Sequence, residues 1–381
     1  MFTGTLRCSR AGVWGRCPGS ALLESQQPKP PDSQDAAEGT AAHWFAEKRL
    51  TYLSRGEKFS TSSFLNAKAP NGVIITQEMI DAVQVYVDDI FKNFNTDLIL
   101  FIEKSFDISV VHPNNKGTLD CCCWVVDDEF SHLIIWDLKY GYGLVSPYDN
   151  WPMLNYAAGV LDFLTKNGQQ IPRTIELRIV QPRAFHPDGV ARSCTVSVDE
   201  MYDKHIPRLI ESAKLATSAA PPLVPGPEQC LNCRARHVCP ALPERVLQCY
   251  DALTVAVPAE LDGEALGREV TLLNDMEKLL KARKSGIDAQ ALEKIKQGES
   301  VTGWTAASAS SRRVWKGSDE EVVQLGNMMG VDLLETKIKS PAQAEKAGLA
   351  KSVVDSYVIN KPGSLKLVPI NSKLAKQVFE K

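Results

Sequence analysis

The chain lacks any apolar run approaching the roughly 18 residues that a membrane-spanning helix requires, so no span is expected. Its start, MFTGTLRCSRAGVWGRCPGS, carries charge but no apolar stretch of the kind found in a secretory leader. It also lacks a long basic run and internal repeats. Lys and Arg total 43 against 46 Asp and Glu, a formal net charge of −3. That balance excludes a generally basic nucleic-acid coat and leaves a local basic groove open. A protein of a reducing, cytoplasmic compartment is expected, and there the ten cysteines are not a disulfide framework. They need another explanation.

At 381 residues the chain is long enough for two domains. Residues 1–37, rich in Gly, Pro, Ser and Gln, read as irregular, with a short helix around Ala21–Ser25. Ala42, Phe45, Ala46 and Leu50 predict a helix over Glu38–Leu53, and residues 54–75 read as loop. Ile80, Val83, Val87, Ile90 and Phe94 mark one face of a helix over Gln77–Phe94. Strands are predicted at Leu98–Val111, Leu119–Val126 and His132–Leu138, the latter two joined by the acidic turn Asp127-Asp128-Glu129. A helix at Met153–Leu164, strands at Thr174–Gln181 and Arg192–Val198, and a helix at Asp199–Ser218 follow. The order predicts an α/β domain over residues 1–245, a central mixed β-sheet flanked by helices. Residues 246–381 read as a mainly helical extension that contacts DNA, a partner or another copy of the chain. It comprises an amphipathic helix (Gly267–Ser285), hairpin-like strands around Gly303–Trp315, two small helices (Asp319–Met329 and Ser340–Ala347) and a Lys-rich tail.

The chemistry concentrates between Gly117 and Lys139. GTLD and IIWDLK place Asp120 and Asp137 about one hairpin apart, and Asp137 and Lys139, two residues apart on a strand, share a face. Two carboxylates and an ammonium on one sheet face are costly to gather unless a divalent cation binds there. Phosphodiester hydrolysis needs an activated water and neutralised phosphoryl oxygens, which a carboxylate-bound Mg²⁺ or Mn²⁺ supplies. His43, in GTAAH on an early helix, can join the metal. Glu38 and Glu103 are further carboxylates within candidate reach. A lone D-x-K is more often a surface pair, but the apolar flanks LIIW and CCCWVV put these carboxylates at a buried sheet, where they need partners.

Cys230, Cys233 and Cys239 form a C-x2-C-x5-C cluster suited to a soft metal centre that requires a fourth ligand. Cys17 is the first choice, with Cys8 and His237 as runners-up, and Zn²⁺ fits such a site as an alternative to iron and sulfur. Cys121, Cys122 and Cys123, on an apolar strand, read as small core residues, as do Cys194 and Cys249.

Together these motifs, G-x-x-x-H (Gly39 to His43), G-x-x-D (Gly117 to Asp120) and D-x-K (Asp137 to Lys139), resemble the RecB-like nucleases of the PD-(D/E)xK superfamily. The resemblance implies a restriction-endonuclease-like core in which His43, Asp120, Asp137 and the backbone carbonyl of Leu138 bind the metal and Lys139 is catalytic. The family's Q-x-x-x-Y helix retains Tyr156, but Pro152 stands where its Gln would be. Three cysteines late and one early resemble the AddB-like and CRISPR-associated RecB-like exonucleases. That implies a [4Fe–4S] cluster on Cys17, Cys230, Cys233 and Cys239 that staples the two ends together. The resemblance covers roughly residues 14–243. It implies a Mg²⁺- or Mn²⁺-dependent deoxyribonuclease of phage or prophage type, an exonuclease on DNA ends or single strands in recombination, replication or repair. The setting would be a bacterial host cytoplasm, with DNA, a single-strand-binding protein or recombinase, and further copies of the chain as partners. The other reading is a catalytically weak DNA-binding scaffold that keeps the fold and the cluster.

Candidate phosphate contacts are Arg234, Arg236, Lys139, Arg312, Arg313 and Lys316. Trp44, Tyr140, Tyr142, Tyr148, Trp151 and Trp315 are candidates for stacking on bases, with Tyr140 and Tyr142 first because KYGYG leaves the catalytic strand.

Overall fold

Two apolar runs, CCCWV and HLIIWDL, form the middle of a six-stranded sheet. In this computed structural model the described residues are 2–29, 32–93, 99–125, 131–253, 261–308, 312–316, 319–333, 341–361 and 365–369. They fall in two compact units, Met1–Arg283 and Lys284–Lys381.

The first unit begins with β1 (Leu6–Arg7), a 3₁₀ turn, α1 (Ala11–Trp14) and α2 (Gly19–Ser25). The long helices α3 (Gln34–Ser54) and α4 (Gln77–Asn93) lead into β2 (Ile99–Asp107), β3 (Asn115–Val125) and β4 (His132–Leu138). Helix α5 (Trp151–Lys166) crosses to β5 (Thr174–Val180) and β6 (Ala191–Ser197). Then follow α6 (Val198–Glu200), α7 (Ile206–Ala216), α8 (Pro227–Asn232), α9 (Ala241–Leu253) and α10 (Gly263–Lys296), whose last turns lie in the second unit. A π-helical stretch at Met201–His205 separates α6 from α7, whose first turn holds Pro207. Proline lacks an N–H, and the wider turn accommodates that loss.

The strand order is β1-β3-β4-β5-β6, with β2 also on β3. Pairs β2–β3, β3–β4 and β5–β6 are antiparallel, whereas β4–β5 and β1–β3 are parallel. The sheet is therefore mixed, and helices cover both faces, as expected. Alternation along β3 sends Cys122 and Trp124 into the cluster under α5 and α7, while Cys121 and Cys123 join the cluster under α3 and α4. Coverage of both faces explains why β3 and β4 read as nearly continuous apolar runs. Each buried Leu or Ile contributes roughly 1.5–3 kcal/mol, so an Ile135→Ala change costs about 2–5 kcal/mol.

Two features of this topology position the site. The parallel neighbours β4 and β5 end side by side, and Lys139 N donates to Val180 O at 2.9 Å. Crevices beyond the carboxyl ends of parallel strands are where α/β sheets bind ligands. In addition, β1 pairs with β3 at Asn115–Lys116 and β4 pairs with it only from Cys121 onward, so Gly117–Asp120 have no described strand on that edge. Asp120 sits in this gap.

The N-terminal segment departs from expectation. It is not irregular, because Leu6, Cys8, Ala11, Val13 and Trp14 are buried and pull β1, α1 and α2 onto the sheet. The compact units divide at Arg283/Lys284 rather than at 245/246, because Met276, Leu279 and Ala282 of α10 pack on Cys230, Leu242 and Cys249. In the second unit, β7 (Trp304–Ser308) and β8 (Arg312–Trp315) do not form a hairpin with each other. Beyond α11 (Asp319–Met328), α12 (Pro341–Lys346) and α13 (Lys351–Tyr357), the strands β9 (Val358–Lys361) and β10 (Leu365–Pro369) pair with β8 and β7 respectively. The tail's own apolar runs supply these partners. The acidic turn 127–129, the end of the tail from 370 onward and the side chains of Arg312 and Arg313 lie outside the described residues.

Candidate functional site

Alternation along β3 and β4 puts Asp120, Asp137 and Lys139 on the sheet face that carries α5. Asp120 Oδ2 accepts from Leu138 N at 2.8 Å, which ties the two strands together at the gap. Asp137 forms an ion pair with Lys139, and its buried Oδ2 has no other donor among the described residues. Helix α3, capped by Ser33 on Ala36 N at 3.2 Å, brings His43 Nδ1 to 3.4 Å from Asp120 Oδ1 and 3.9 Å from Glu103 Oε1. Ligand atoms of His43, Glu103 and Asp120 lie within 4.8 Å of one another.

Glu103 faces Asp120 in the β2–β3 register but drops out of the ladder, which runs from the Ile102–Cys121 pair to the Lys104–Leu119 pair. Its φ of 44° is left-handed, a conformation that costs a non-glycine residue of order 1–3 kcal/mol. Straining the strand here turns a third ligand atom toward His43 and Asp120.

The electrostatics describe a site short of positive charge. Burial would lower the His43 pKa, but the Asp120 carboxylate outweighs it and raises the imidazole to about 9. Burial and the Asp120 charge push Glu103 up to about 7. Burial and Asp120 likewise raise Asp137 against the pull of Lys139, while for Asp120 the burial cost is outweighed by His43 and its pKa falls. Lys139 is raised because Asp137 and Asp120 overcome its own burial, so it stays an ammonium. A divalent ion must displace the His43 proton to bind, and the donor set of one imidazole nitrogen and carboxylate oxygens suits Mn²⁺ or Mg²⁺.

His43, Asp120, Asp137 and Lys139 open into a cleft of about 930 Å³ that also reaches Ser9, Pro152 and Tyr156. Pro152 lies in the first turn of α5, with Tyr156 one turn later and 8% exposed. Cys8 Sγ donates to Pro152 O at 3.2 Å. Tyr148, 77% exposed, and Leu144 stand on the cleft's rim.

The structure separates the other expected residues. Glu38 is not in the metal group. It pairs with Arg183 at 2.9 Å, because it lies five residues before His43 and hence about 140° around the helix. Tyr140 is buried, and the Arg183 guanidinium lies between it and Tyr142, 4.4 and 4.2 Å from the two ring centroids. Trp44 is half-buried against Phe64, Trp151 is buried, and Trp315 is half-buried against the second unit's core. Arg234 N and its side chain meet Glu24, while Arg236 donates to Leu231 O and Cys233 O. Both therefore shape the cysteine loop. Lys316 is exposed and donates to Ser356 O at 3.1 Å.

Sequence reasoning missed Gln181 and Arg183. The buried Gln181 amide donates to Gly141 O and Gly143 O at 3.0 and 2.7 Å and accepts from Val145 N at 3.2 Å. It thereby holds the loop that follows Lys139. The available signal was topological: QPR follows the parallel strand beside β4.

Cys17, Cys230, Cys233 and Cys239 line one small apolar cavity. Val224 N donates to Cys17 Sγ at 3.2 Å and Gly226 N to Cys230 Sγ at 3.3 Å. Gly19 N donates to Pro222 O at 2.8 Å, and Arg10 donates to Asn232 O at 2.8 Å while pairing with Glu24, so the early and late segments meet here. His237 instead reaches Gln27 at 3.1 Å, and Cys8 lies beside Tyr156. None of the ten cysteines forms a disulfide. No described helix is long and apolar enough to cross a membrane.

Among solved structures, one titled "Crystal structure of SSO0001" is similar over 63% of this chain and 87% of its own, at 14% identity and a TM-score of 0.27. No curated protein matches the chain. A family profile matches residues 4–374, and the chain belongs to that family, described as "Protein of unknown function (DUF2800)".

Proposed function

We propose that the protein is a Mg²⁺- or Mn²⁺-dependent deoxyribonuclease with a PD-(D/E)xK-type core, an exonuclease acting on DNA ends or single strands. The observation that carries this reading is the meeting of His43, Asp120 and the Asp137–Lys139 pair in one cleft, with Glu103 beside His43 and Asp120. His43, Glu103, Asp120 and Asp137 would hold the ion, which supplies a Lewis acid and an acidified water when bound. Lys139, kept as an ammonium by its two carboxylate neighbours, places positive charge where phosphoryl oxygens gain negative charge. This favours an electrostatic role for Lys139 over that of a base. Gln181 and Arg183 keep the loop after Lys139 in place, and Tyr156 forms part of the wall.

The four cysteines would hold a [4Fe–4S] cluster, with a single Zn²⁺ as the alternative. In support, all four residues line one cavity, and backbone N–H groups face two of the sulfurs. Broad visible absorbance with stoichiometric iron is expected of the purified protein; a colourless protein holding stoichiometric zinc rejects the iron assignment.

The activity test uses 5′- and 3′-labelled single- and double-stranded DNA with Mg²⁺ or Mn²⁺. Wild type is expected to shorten labelled DNA from an end, and Asp137→Ala to lower the rate by roughly 10³-fold or more. Equal inertness of both proteins on every substrate would remove the enzyme reading.

A further inference from the structure

At one wall of the cleft, the start of α5 is surrounded by more hydrogen-bond donors than the protein supplies acceptors for. The Trp151 ring lies between two guanidinium groups, with Arg208 Cζ 4.1 Å and Arg16 Cζ 5.5 Å from its centroid. Both arginines share one carboxylate: Arg208 meets Asp149 Oδ1 at 2.6 Å and Arg16 meets Oδ2 at 3.4 Å. Two cations against one anion leave a local surplus of one positive charge. Trp151 is 6% exposed, and its Nε1–H has no acceptor among the described residues; nor has the buried Nε–H of Arg208. Leaving such a group unpaired costs about 1–3 kcal/mol.

The seat is built rather than incidental. A Cβ on Gly15 would lie 2.2 Å from the indole, so only glycine lets the ring settle there, and Ser212 Oγ fixes Gly15 O at 2.8 Å. Arg16, Asp149 and Trp151 line the same cleft as Asp120 and Lys139. Helix α5 runs 16 residues from Trp151, so the positive end of its dipole adds to the site.

We propose that Arg16, backed by the stack of Trp151 and Arg208, forms a phosphate-binding site at the wall of the metal cleft, which takes a phosphate group of the nucleic-acid strand. The nature of the carrier rests on the nuclease reading; the phosphate chemistry does not. Planar guanidinium forks match phosphate oxygens, and a phosphate held by Arg16 in the cleft would sit at the positive end of α5, beside the Trp151–Arg208 stack. The phosphate is either a terminal monoester or an internal diester of the same strand.

The test is binding to the full chain in EDTA, where no cleavage occurs. Inorganic phosphate, titrated by calorimetry, is expected to bind wild type, and Arg16→Gln to weaken it by about 10- to 100-fold. Arg208→Gln removes the second guanidinium of the stack and its positive charge while leaving the Trp151 ring in place. It is expected to weaken binding severalfold, and it carries the test if Arg16→Gln melts early. Fluorescence anisotropy with oligonucleotides bearing a 5′-phosphate, a 3′-phosphate or neither then separates the sources. Preference for one phosphorylated end, lost in Arg16→Gln, identifies a terminal monoester. Equal binding of all three, weakened equally by Arg16→Gln, identifies an internal diester. Failure of wild type to bind phosphate at tens of millimolar, or unchanged binding in both variants, overturns the site. Intact phosphate binding in a protein that cleaves nothing rejects the catalytic reading and leaves this one standing.

Discussion

Glu103 and Glu176 belong to the same sheet and are pushed in opposite directions. Glu176 is held down to about 2 by His132, with Ser193 and Arg178 adding to the effect against the cost of burial. Its neighbour Asp89 accepts from Trp136 Nε1 at 3.0 Å and takes both Arg178 Nε and Nη2, at 2.5 and 2.7 Å. That network ties α4 to β4 and β5 through directed hydrogen bonds and ion pairs. Glu103 is raised to about 7 among Asp120, Asp137 and Glu47, with His43 as its opposing partner. A cluster of acids whose cations and donors are in place is a fastener. One that comes up short, with a strained residue on β2 beside it, is where the proposed cation would sit.

The sharpest way to break this contrast is Asp89→Ala. It strips the partly buried Arg178 of its bidentate partner and is expected to cost about 3–5 kcal/mol in denaturant unfolding, with or without Mn²⁺. Dependence of that loss on metal would merge the two clusters. A smaller effect comes from pH. Because the folded pKa of Glu176 lies below its unfolded value, its contribution, about 3 kcal/mol, is complete above roughly pH 4.5 and lost as pH falls toward 2. Acid titration of Glu176→Gln is therefore expected to be flatter than wild type across that window; parallel curves would contradict the assignment. The smallest effect, with the opposite sign, belongs to Glu103→Gln. In EDTA at pH 8 it is expected to raise stability by about 1 kcal/mol by removing repulsion from Asp120, while weakening Mn²⁺ binding measured by calorimetry. Loss of stability in EDTA would place Glu103 with the fasteners.

These differences also mark what was legible in the sequence. Asp120, Asp137 and Lys139 were readable because strand periodicity acts over two residues and a hairpin over about twenty. Helix periodicity, applied strictly, also separates the acids near His43. Glu38 lies about 140° around from it, whereas Glu47, four residues on and only about 40° away, is the one that reaches Glu103's surroundings. Gln181, Arg183, Arg16 and Arg208 were not readable, because their roles arise where segments distant in sequence pack together. The irregular reading of residues 1–37 failed for a related reason: Gly and Pro there make tight passages over the sheet, and the scattered Leu6, Cys8 and Trp14 show no period because β1, α1 and α2 are each too short to display one. The C-terminal hairpin failed because two strands adjacent in sequence each found a partner in the tail.

The cysteine cavity imposes an order in time. Cys17 is synthesised early, yet the residues that complete its surroundings, through Cys239 and Leu242, emerge more than 200 positions later. At about 5–20 residues per second, β1 and α1 wait roughly 10–45 seconds on the ribosome before their last neighbours arrive. During that interval β1 and one side of α1 already have the sheet and α5 to pack on, whereas the side of α1 that meets α8 has no cover. A nascent chain halted before α8 would therefore keep its N-terminal segment on the sheet but leave that side of α1 exposed, and the proposed cluster could be loaded only later still.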